Sequence, residues 1–307
     1  MFFISMIDYR IYKGRIADIG IVGAIILLAL VFVPGLGVTR NDATRWLNIG
    51  IQFQPSEIMK VAIIIFLSAK ISKYPESINR FWKGMLLYLL LLGVIAGLLL
   101  FEPHMSATVI ILIISASIMF SAGLSWKYII PVGIGGVAAC VVLALTAEYR
   151  MKRVMIFLDP WQDKLGDGWQ IIQSIYAIAS GGLFGVGLGK STQKYMYIPE
   201  PHNDFIFAIL SEELGFIGAI GVIALFAIFI WRGIVIAMKA PDMFGTLLAV
   251  GITTMVGIQA LLSIAVVSSA IPVTGIPLPF FSYGGTALII LLCSCGILLN
   301  ISRNAVK

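Results

Sequence analysis

The segment Pro199-Glu200-Pro201-His202-Asn203-Asp204 is polar and ionisable, and it stops abruptly at Phe205-Ile206-Phe207, the start of a long hydrophobic run. A carboxylate and an imidazole thus stand at the mouth of an apolar segment. Charge beside hydrocarbon is costly, so ionisable groups there are functional candidates by default. Asp204 can also be read as the N-cap of the helix that follows, yet capping does not explain Glu200 and His202 in the same short segment. Glu57 and Lys60 form a second group. Their i, i+3 spacing at the start of another apolar run puts them on one helix face. Either they neutralise each other or they line a polar cavity. Just before them come Arg45-Trp46 and Gln54-Pro55-Ser56. Trp46 reads most simply as an interfacial anchor, and Arg45 suits an anionic headgroup or a substrate phosphate.

A third group is the run Pro272-Val273-Thr274-Gly275-Ile276-Pro277-Leu278-Pro279-Phe280-Phe281-Ser282-Tyr283-Gly284-Gly285. Its prolines and its Gly-Gly bar a continuous helix. Irregular backbone at membrane depth must be packed in protein or line a cavity. Weaker candidates lie elsewhere. In Glu102-Pro103-His104-Met105, Pro103 ends one helix and Ser106 is expected to cap the next. Turn chemistry leaves Glu102 and His104 unexplained. For Glu212 and Glu213 a structural role is favoured, one pairing with a loop cation and the other capping a hydrogen-bond network. The glycine-rich run Ser180 to Lys190 does not match a phosphate-binding P-loop, which needs a preceding strand and a Gly-Lys-Ser/Thr ending a four-residue gap. Close backbone packing is preferred there, with pyrophosphate contact as the alternative.

These groups need a scaffold, and composition says which kind. The chain has 307 residues, 60% of them hydrophobic and 12% charged, too few charges for a soluble domain of this length. It reads as one polytopic membrane domain over 1–307. Met1 to Met6 is apolar but too short for a signal peptide. Cys140, Cys293 and Cys295 sit inside apolar runs and are expected as buried free thiols, not as a disulfide framework or metal site. The net charge of +6 is attributed to basic cytoplasmic loops, with no nucleic-acid partner.

Eight segments have span-like length and composition, roughly 18–38, 56–72, 84–101, 106–124, 128–146, 205–231, 243–269 and 283–302. The fold class is therefore all-α, with one long extracellular loop at 147–204. With the first segment's leading end inside, the inner loops and tails hold twelve Lys and Arg and the short outer loops hold only Arg40 and Arg45. This asymmetry places both termini in the cytoplasm. Within the long loop, Tyr149 to Leu158 suits the membrane interface, Asp159-Pro160-Trp161 breaks it, and Trp169 to Ser180 reads as a helix or re-entrant piece. No internal repeat is present, so an inverted-repeat transporter has no support.

Arg45-Trp46-Leu47-Asn48 with Phe53-Gln54-Pro55-Ser56-Glu57 resembles the SEDS family (shape, elongation, division and sporulation: FtsW, RodA, SpoVE). So do Pro199-Glu200-x-His202-x-Asp204-Phe205-Ile206-Phe207, Glu212-Glu213-Leu214-Gly215, and Pro272-Val273-Thr274-Gly275 through Ser282-Tyr283-Gly284-Gly285. The similarity runs over almost the whole chain, and Thr274-Gly275-Ile276-Pro277 leans to the FtsW and SpoVE branch. The resemblance implies a peptidoglycan glycosyltransferase in the bacterial plasma membrane that polymerises lipid II during division or sporulation. The implied partners are a class B penicillin-binding transpeptidase and other membrane proteins of the divisome or elongation complex. The family's essential Asp matches Asp204, its loop Trp matches Trp46, and its intramembrane Glu and Lys match Glu57 and Lys60. Two departures stand out. Glu102-Pro103-His104-Met105-Ser106-Ala107 replaces the family's Gln-Pro-Asp-Leu-Gly-Thr, so no role transfers to that hairpin. The family has ten spans against eight here, and Met1 to Arg10 looks like the end of the family's second span.

The implied reaction joins two lipid-linked disaccharides. The acceptor's sugar 4-hydroxyl attacks the donor's anomeric carbon, and polyprenyl pyrophosphate leaves. A carboxylate at that hydroxyl acts as general base, the role expected of Asp204. The substrate-binding set is expected to be Arg45, Trp46, Glu57, Lys60, Arg153, Glu200, His202 and Ser282. The leaving pyrophosphate needs positive charge, from Arg45, Arg150, Lys152, Arg153 and Lys190 or from a divalent cation, Mg2+ or Mn2+. No cluster has metal-ligand spacing, so no residue is assigned to a metal. The alternatives are a lipid II flippase, which explains Glu57 and Lys60 as well as the enzyme does, and a truncated, non-catalytic scaffold.

Overall fold

A computed structural model describes residues 1–40, 43–146, 148–166, 168–193 and 203–305. The helices are α1 (Phe2–Met6), α2 (Arg15–Leu30), α3 (Pro55–Lys73), α4 (Leu86–Phe101), α5 (Met105–Ser121), α6 (Trp126–Thr146), α7 (Glu148–Leu158), α8 (Trp169–Gly181), α9 (Ile206–Met238), α10 (Met243–Val267) and α11 (Gly285–Arg303). Each of the eight expected spans falls on one of these helices. By length and composition alone, α9, α10 and α11 are long and apolar enough to cross a membrane, and α4 and α5 are shorter apolar helices. α3 has the length but carries Glu57, Lys60, Lys70 and Lys73.

One expectation needs correction. The first span was expected to reach residue 38, but α2 ends at Leu30 and Gly37–Arg40 is a strand. Pro34 and Gly35, the latter at φ +91°, turn the chain out of the helix. The mostly helical architecture also carries a few short strands. Gly37–Arg40 (β1), Ala43–Asn48 (β2) and Gln52–Phe53 (β3) form a small antiparallel sheet, with Val38 opposite Trp46 and Leu47 opposite Phe53. Gly37 must be glycine, because a Cβ there would lie 2.2 Å from the Val31 carbonyl oxygen.

The chain divides into two compact units. Unit 1 comprises Met1–Ile129, Phe229–Val256 and Gly285–Lys307. Its centre is α3, whose Ile63, Ile64, Leu67 and Ile71 are fully buried, as are Leu28 of α2 and Ile114 and Ile118 of α5. Small residues let helices approach closely where lipid supplies no hydrophobic drive. Gly251 of α10 does so, since a Cβ there would lie 2.7 Å from Ile64 and 2.9 Å from Ile118. A polar latch closes the unit. The Asn300 amide donates to the Ser5 carbonyl (2.9 Å) and accepts from the Tyr9 N–H (3.0 Å). The Tyr9 hydroxyl donates to Asp242 (2.9 Å), as does Arg10 (3.1 Å).

Unit 2 comprises Ile130–Ile228 and Gly257–Gly284. Helices appear at both predicted places in the long loop, α7 and α8. The Ser174 hydroxyl donates to the Val267 carbonyl (2.7 Å), tying α8 to the end of α10. α9 is broken at Gly215, where φ is +67° and ψ −169°. Ile217, Ile220, Ile223 and Leu225 beyond the break are exposed, the arrangement expected of a face that meets lipid.

Candidate functional site

The described candidates form one cluster in each unit. In unit 2 the cluster is built on the loop 271–284. Its shape is held by Ser282, whose hydroxyl donates to the Asn203 carbonyl (2.7 Å) and accepts from the Leu278 N–H (2.7 Å). One side chain thereby fixes both the loop's turn and the backbone next to Asp204. Gly275 lies at φ +66°, and a Cβ there would be 3.3 Å from Asp204 Oδ2. Asp204 itself is half-buried. It stands two residues before α9 begins at Ile206, and Phe205, not Asp204, accepts the Ala208 N–H. Arg153 of α7 donates to the Val273 carbonyl (3.2 Å) from an exposed position. A guanidinium has five donors, so this contact leaves capacity for an anion. Asp204, Ser282 and Arg153 therefore share one loop. Glu200 and His202 lie outside the described residues.

The glycine-rich run has a packing role. A Cβ at Gly181 would lie 2.1 Å from the Ser211 carbonyl oxygen, and one at Gly185 would lie 2.2 Å from that of Glu213. Glu212 accepts from the Ser191 hydroxyl, the Thr192 N–H (3.0 Å) and the Thr192 hydroxyl (3.0 Å), while Glu213 accepts from the Ser191 N–H (3.4 Å). The pair thus clamps the loop through hydroxyls and backbone. Of the other outer cations, Lys152 is 4.0 Å from Asp163, Lys190 is exposed, and the side chain of Arg150 is outside the description.

In unit 1 the cluster surrounds the hairpin 102–104. Arg45 of β2 reaches the Glu102 carbonyl (3.4 Å) and hydrogen-bonds that of Pro103. Trp46, next along the strand and half-buried, belongs to the opposite face of the sheet by strand alternation. Glu57 and Lys60 are ion-paired at 2.8 Å, with the Lys60 side chain 3% exposed. The Gln54 amide lies 3.4 Å from His104 Nε2. His104, not Ser106, occupies the N-cap position of α5. Burial, then the charges of Arg45 and Lys60, hold the His104 imidazolium down to about 3, so the ring is neutral at physiological pH. Glu102 is the group that sequence reasoning undervalued. It is 1% exposed, and neither carboxylate oxygen has a hydrogen-bond partner. Burial pushes its carboxyl up to about 8 despite the nearby Arg45.

Among the described residues, no three His, Cys, Asp or Glu gather as a metal site would require. Cys293 and Cys295 are free thiols.

A family model described as cell cycle protein, FtsW/RodA/SpoVE, matches residues 1–307. The chain belongs to this family. This FtsW/RodA/SpoVE member is 44% identical over 307 residues to stage V sporulation protein E of Bacillus subtilis (strain 168), covering 99% of this chain and 83% of that protein. It is 43% identical over 297 residues to the probable peptidoglycan glycosyltransferase FtsW of Geobacter sp. (strain M18), covering 96% and 81%. Among solved structures, it matches a chain from "Structural coordination of polymerization and crosslinking by a peptidoglycan synthase complex" with a TM-score of 0.81 and 32% identity, covering 99% and 85%. It also matches the rod shape determining protein RodA of Thermus thermophilus at TM-score 0.70 and 27% identity, covering 100% and 83%. The family is one of polytopic membrane proteins, and the eight helical spans agree with that architecture.

Proposed function

We propose that this chain joins lipid-linked disaccharides with Asp204 as general base. It is a peptidoglycan glycosyltransferase of the family to which it belongs, with relatives of that name 40–43% identical over 96% of it. In the proposed step the acceptor's 4-hydroxyl oxygen bonds to the donor's anomeric carbon. The carbon–oxygen bond to phosphate breaks, and polyprenyl pyrophosphate leaves with the electron pair. The hydroxyl proton passes to the Asp204 carboxylate. The observation that carries the reading is the backing of that carboxylate by Gly275, in a loop pinned to Asn203 by Ser282. A loop without a side chain at 275 leaves Oδ2 its position, and a fixed base is worth about 10²–10⁴ in rate.

The remaining assignments accompany this reading. Arg153, Arg45, or a divalent cation would offset the leaving group's charge, and Trp46, Glu57, Lys60, Glu200 and His202 would contact lipid II. Both termini would be cytoplasmic, by the asymmetry of the basic loops. A class B penicillin-binding transpeptidase would be the partner, since the solved complex matched by this chain couples polymerisation to crosslinking.

Asp204→Asn keeps side-chain size and removes the base. Purified Asp204→Asn supplied with lipid II should make no glycan polymer while remaining folded, and a drop of at least 100-fold is expected. Robust polymer from a well-folded Asp204→Asn protein would refute the assignment. Leaflet exchange of labelled lipid II by the wild type, without polymer, would point to the flippase instead.

A further inference from the structure

The sheet and the hairpin 102–104 lie by the first turn of α3, and a different feature sits by its last. The linker from α3 to α4 makes a 3-10 turn at Pro75–Asn79 and a π-helical turn at Phe81–Met85. π turns are rare and occur frequently at functional positions. Gly84 permits this one, since a Cβ there would lie 2.2 Å from the Ser77 carbonyl oxygen. Between the linker and the adjoining helix ends opens a cavity of about 690 Å³.

The lining combines three kinds of chemistry. Lys70, Lys73 and Arg80 bring positive charge, Ser77 and Tyr88 bring hydroxyls, and Leu87 brings hydrocarbon. One carboxylate, Glu76, also lines it and pairs with Arg80 at 2.8 Å, with both side chains more than half exposed. Lys70 pairs with Asp18 at 2.8 Å and is likewise partly exposed. Exposed pairs of this kind are weak and exchange readily for a better anion. Lys73 makes no ion pair among the described residues, and its ammonium rests 5.2 Å from the Tyr74 ring. Leu87 is 65% exposed and Phe66 also lines the cavity, an apolar wall beside the charged floor.

The matching ligand has compact negative charge, several acceptor oxygens and an attached hydrocarbon. A phosphodiester headgroup meets all three conditions, because Arg and Lys bind phosphate oxygens through charge-assisted bonds and basic pockets among membrane helices take anionic lipids. We propose that this cavity binds the phosphate of an anionic phospholipid headgroup, on the membrane face that carries the basic loops. Inorganic phosphate shares the charge and oxygens but has no use for the apolar wall of Leu87 and Phe66.

The test uses the full chain in phosphatidylcholine nanodiscs containing a little spin-labelled phosphatidylglycerol, with immobilised label as the readout. Lys73→Gln and Arg80→Gln should each weaken retention about fivefold, and the double variant by more than tenfold. Both positions are exposed, so folding should be unaffected. Lys73→Arg should retain the lipid, and Lys239→Gln, a cation on another loop, should match wild type. Inorganic phosphate added as competitor separates the sources. No displacement assigns the cavity to lipid, and displacement assigns it to soluble phosphate, the phosphate site standing in both cases. Equal retention by the wild type and the Lys73→Gln/Arg80→Gln double variant overturns the proposal. The readout involves no polymer, so it stands apart from the transferase reading.

Discussion

Glu212 in unit 2 and Glu102 in unit 1 are both 1% exposed, yet their surroundings are opposite. Glu212 accepts from two hydroxyls and a backbone N–H, all in the segment Ser191–Thr192. Glu102 has no partner on either oxygen, and the adjacent Arg45 turns its Nε and one terminal nitrogen to the Glu102 and Pro103 carbonyls. Burial is therefore silent about role. The donors decide whether a buried carboxylate is a clamp or a group poised to take up a proton. The Glu57–Lys60 pair lies between these extremes, with a single strong partner.

The comparison is broken most decisively at Glu212. Glu212→Ala orphans three donors, and charge-assisted bonds of this kind contribute about 1.5–3 kcal/mol each. A loss of about 3–5 kcal/mol is expected in thermal unfolding of the detergent-solubilised protein. A loss below about 1 kcal/mol would show that the clamp is ornamental. At the intermediate pair, Lys60→Met leaves the Glu57 carboxylate uncompensated and should cost about 3 kcal/mol, most of it recovered in Lys60→Met/Glu57→Gln. If the double variant is no better than the single, coupling between the two charges is absent.

Glu102 should give the smallest mutational effect at low pH and the clearest pH signature. Its folded carboxyl titrates at about 8, against an ordinary value of 4.5. Between those pH values the folded chain holds a proton that the unfolded chain has lost. Stability should therefore be highest below about pH 4.5 and fall towards pH 8 by up to about 1.4 kcal/mol per unit, levelling off above. Glu102→Gln mimics the protonated form. It should match the wild type below about pH 4.5, exceed it by up to about 3 kcal/mol at pH 7, and remove this part of the slope. An unchanged slope in Glu102→Gln would place the titrating group elsewhere.

How much of this was legible in the sequence depends on the range of the interaction. The eight helical segments are legible because each apolar run is long enough to announce itself. The sheet at 37–53 is not, since its strands are two to six residues long and owe their pairing to each other. Asp204 is legible as charge at the mouth of a span. Gly275 is harder to see, because its contribution is the space that it leaves beside Oδ2. The Glu212 clamp depends on donors 20 and 21 residues back in a loop without periodicity, so the residue was visible and its partners were not. The isolation of Glu102 is set entirely by what packs around it. The sequence hints at it in two ways, as a carboxylate that turn chemistry leaves unexplained and as a departure from the family's motif.

The latch at Tyr9 carries a consequence for biosynthesis. Its partners Asp242 and Asn300 lie 233 and 291 residues downstream. At about 5–20 residues per second, the ribosome delivers Asn300 roughly 15–60 s after Tyr9 has emerged. For that whole interval the Tyr9 backbone N–H lacks its final partner, and the hydroxyl waits for Asp242 through most of it, although α2, α3 and α5 are made in its first half. Unit 1 is thus sealed by segments translated 291 residues apart, and a ribosome stalled before residue 300 would hold a chain whose Tyr9 backbone has nothing to fasten to.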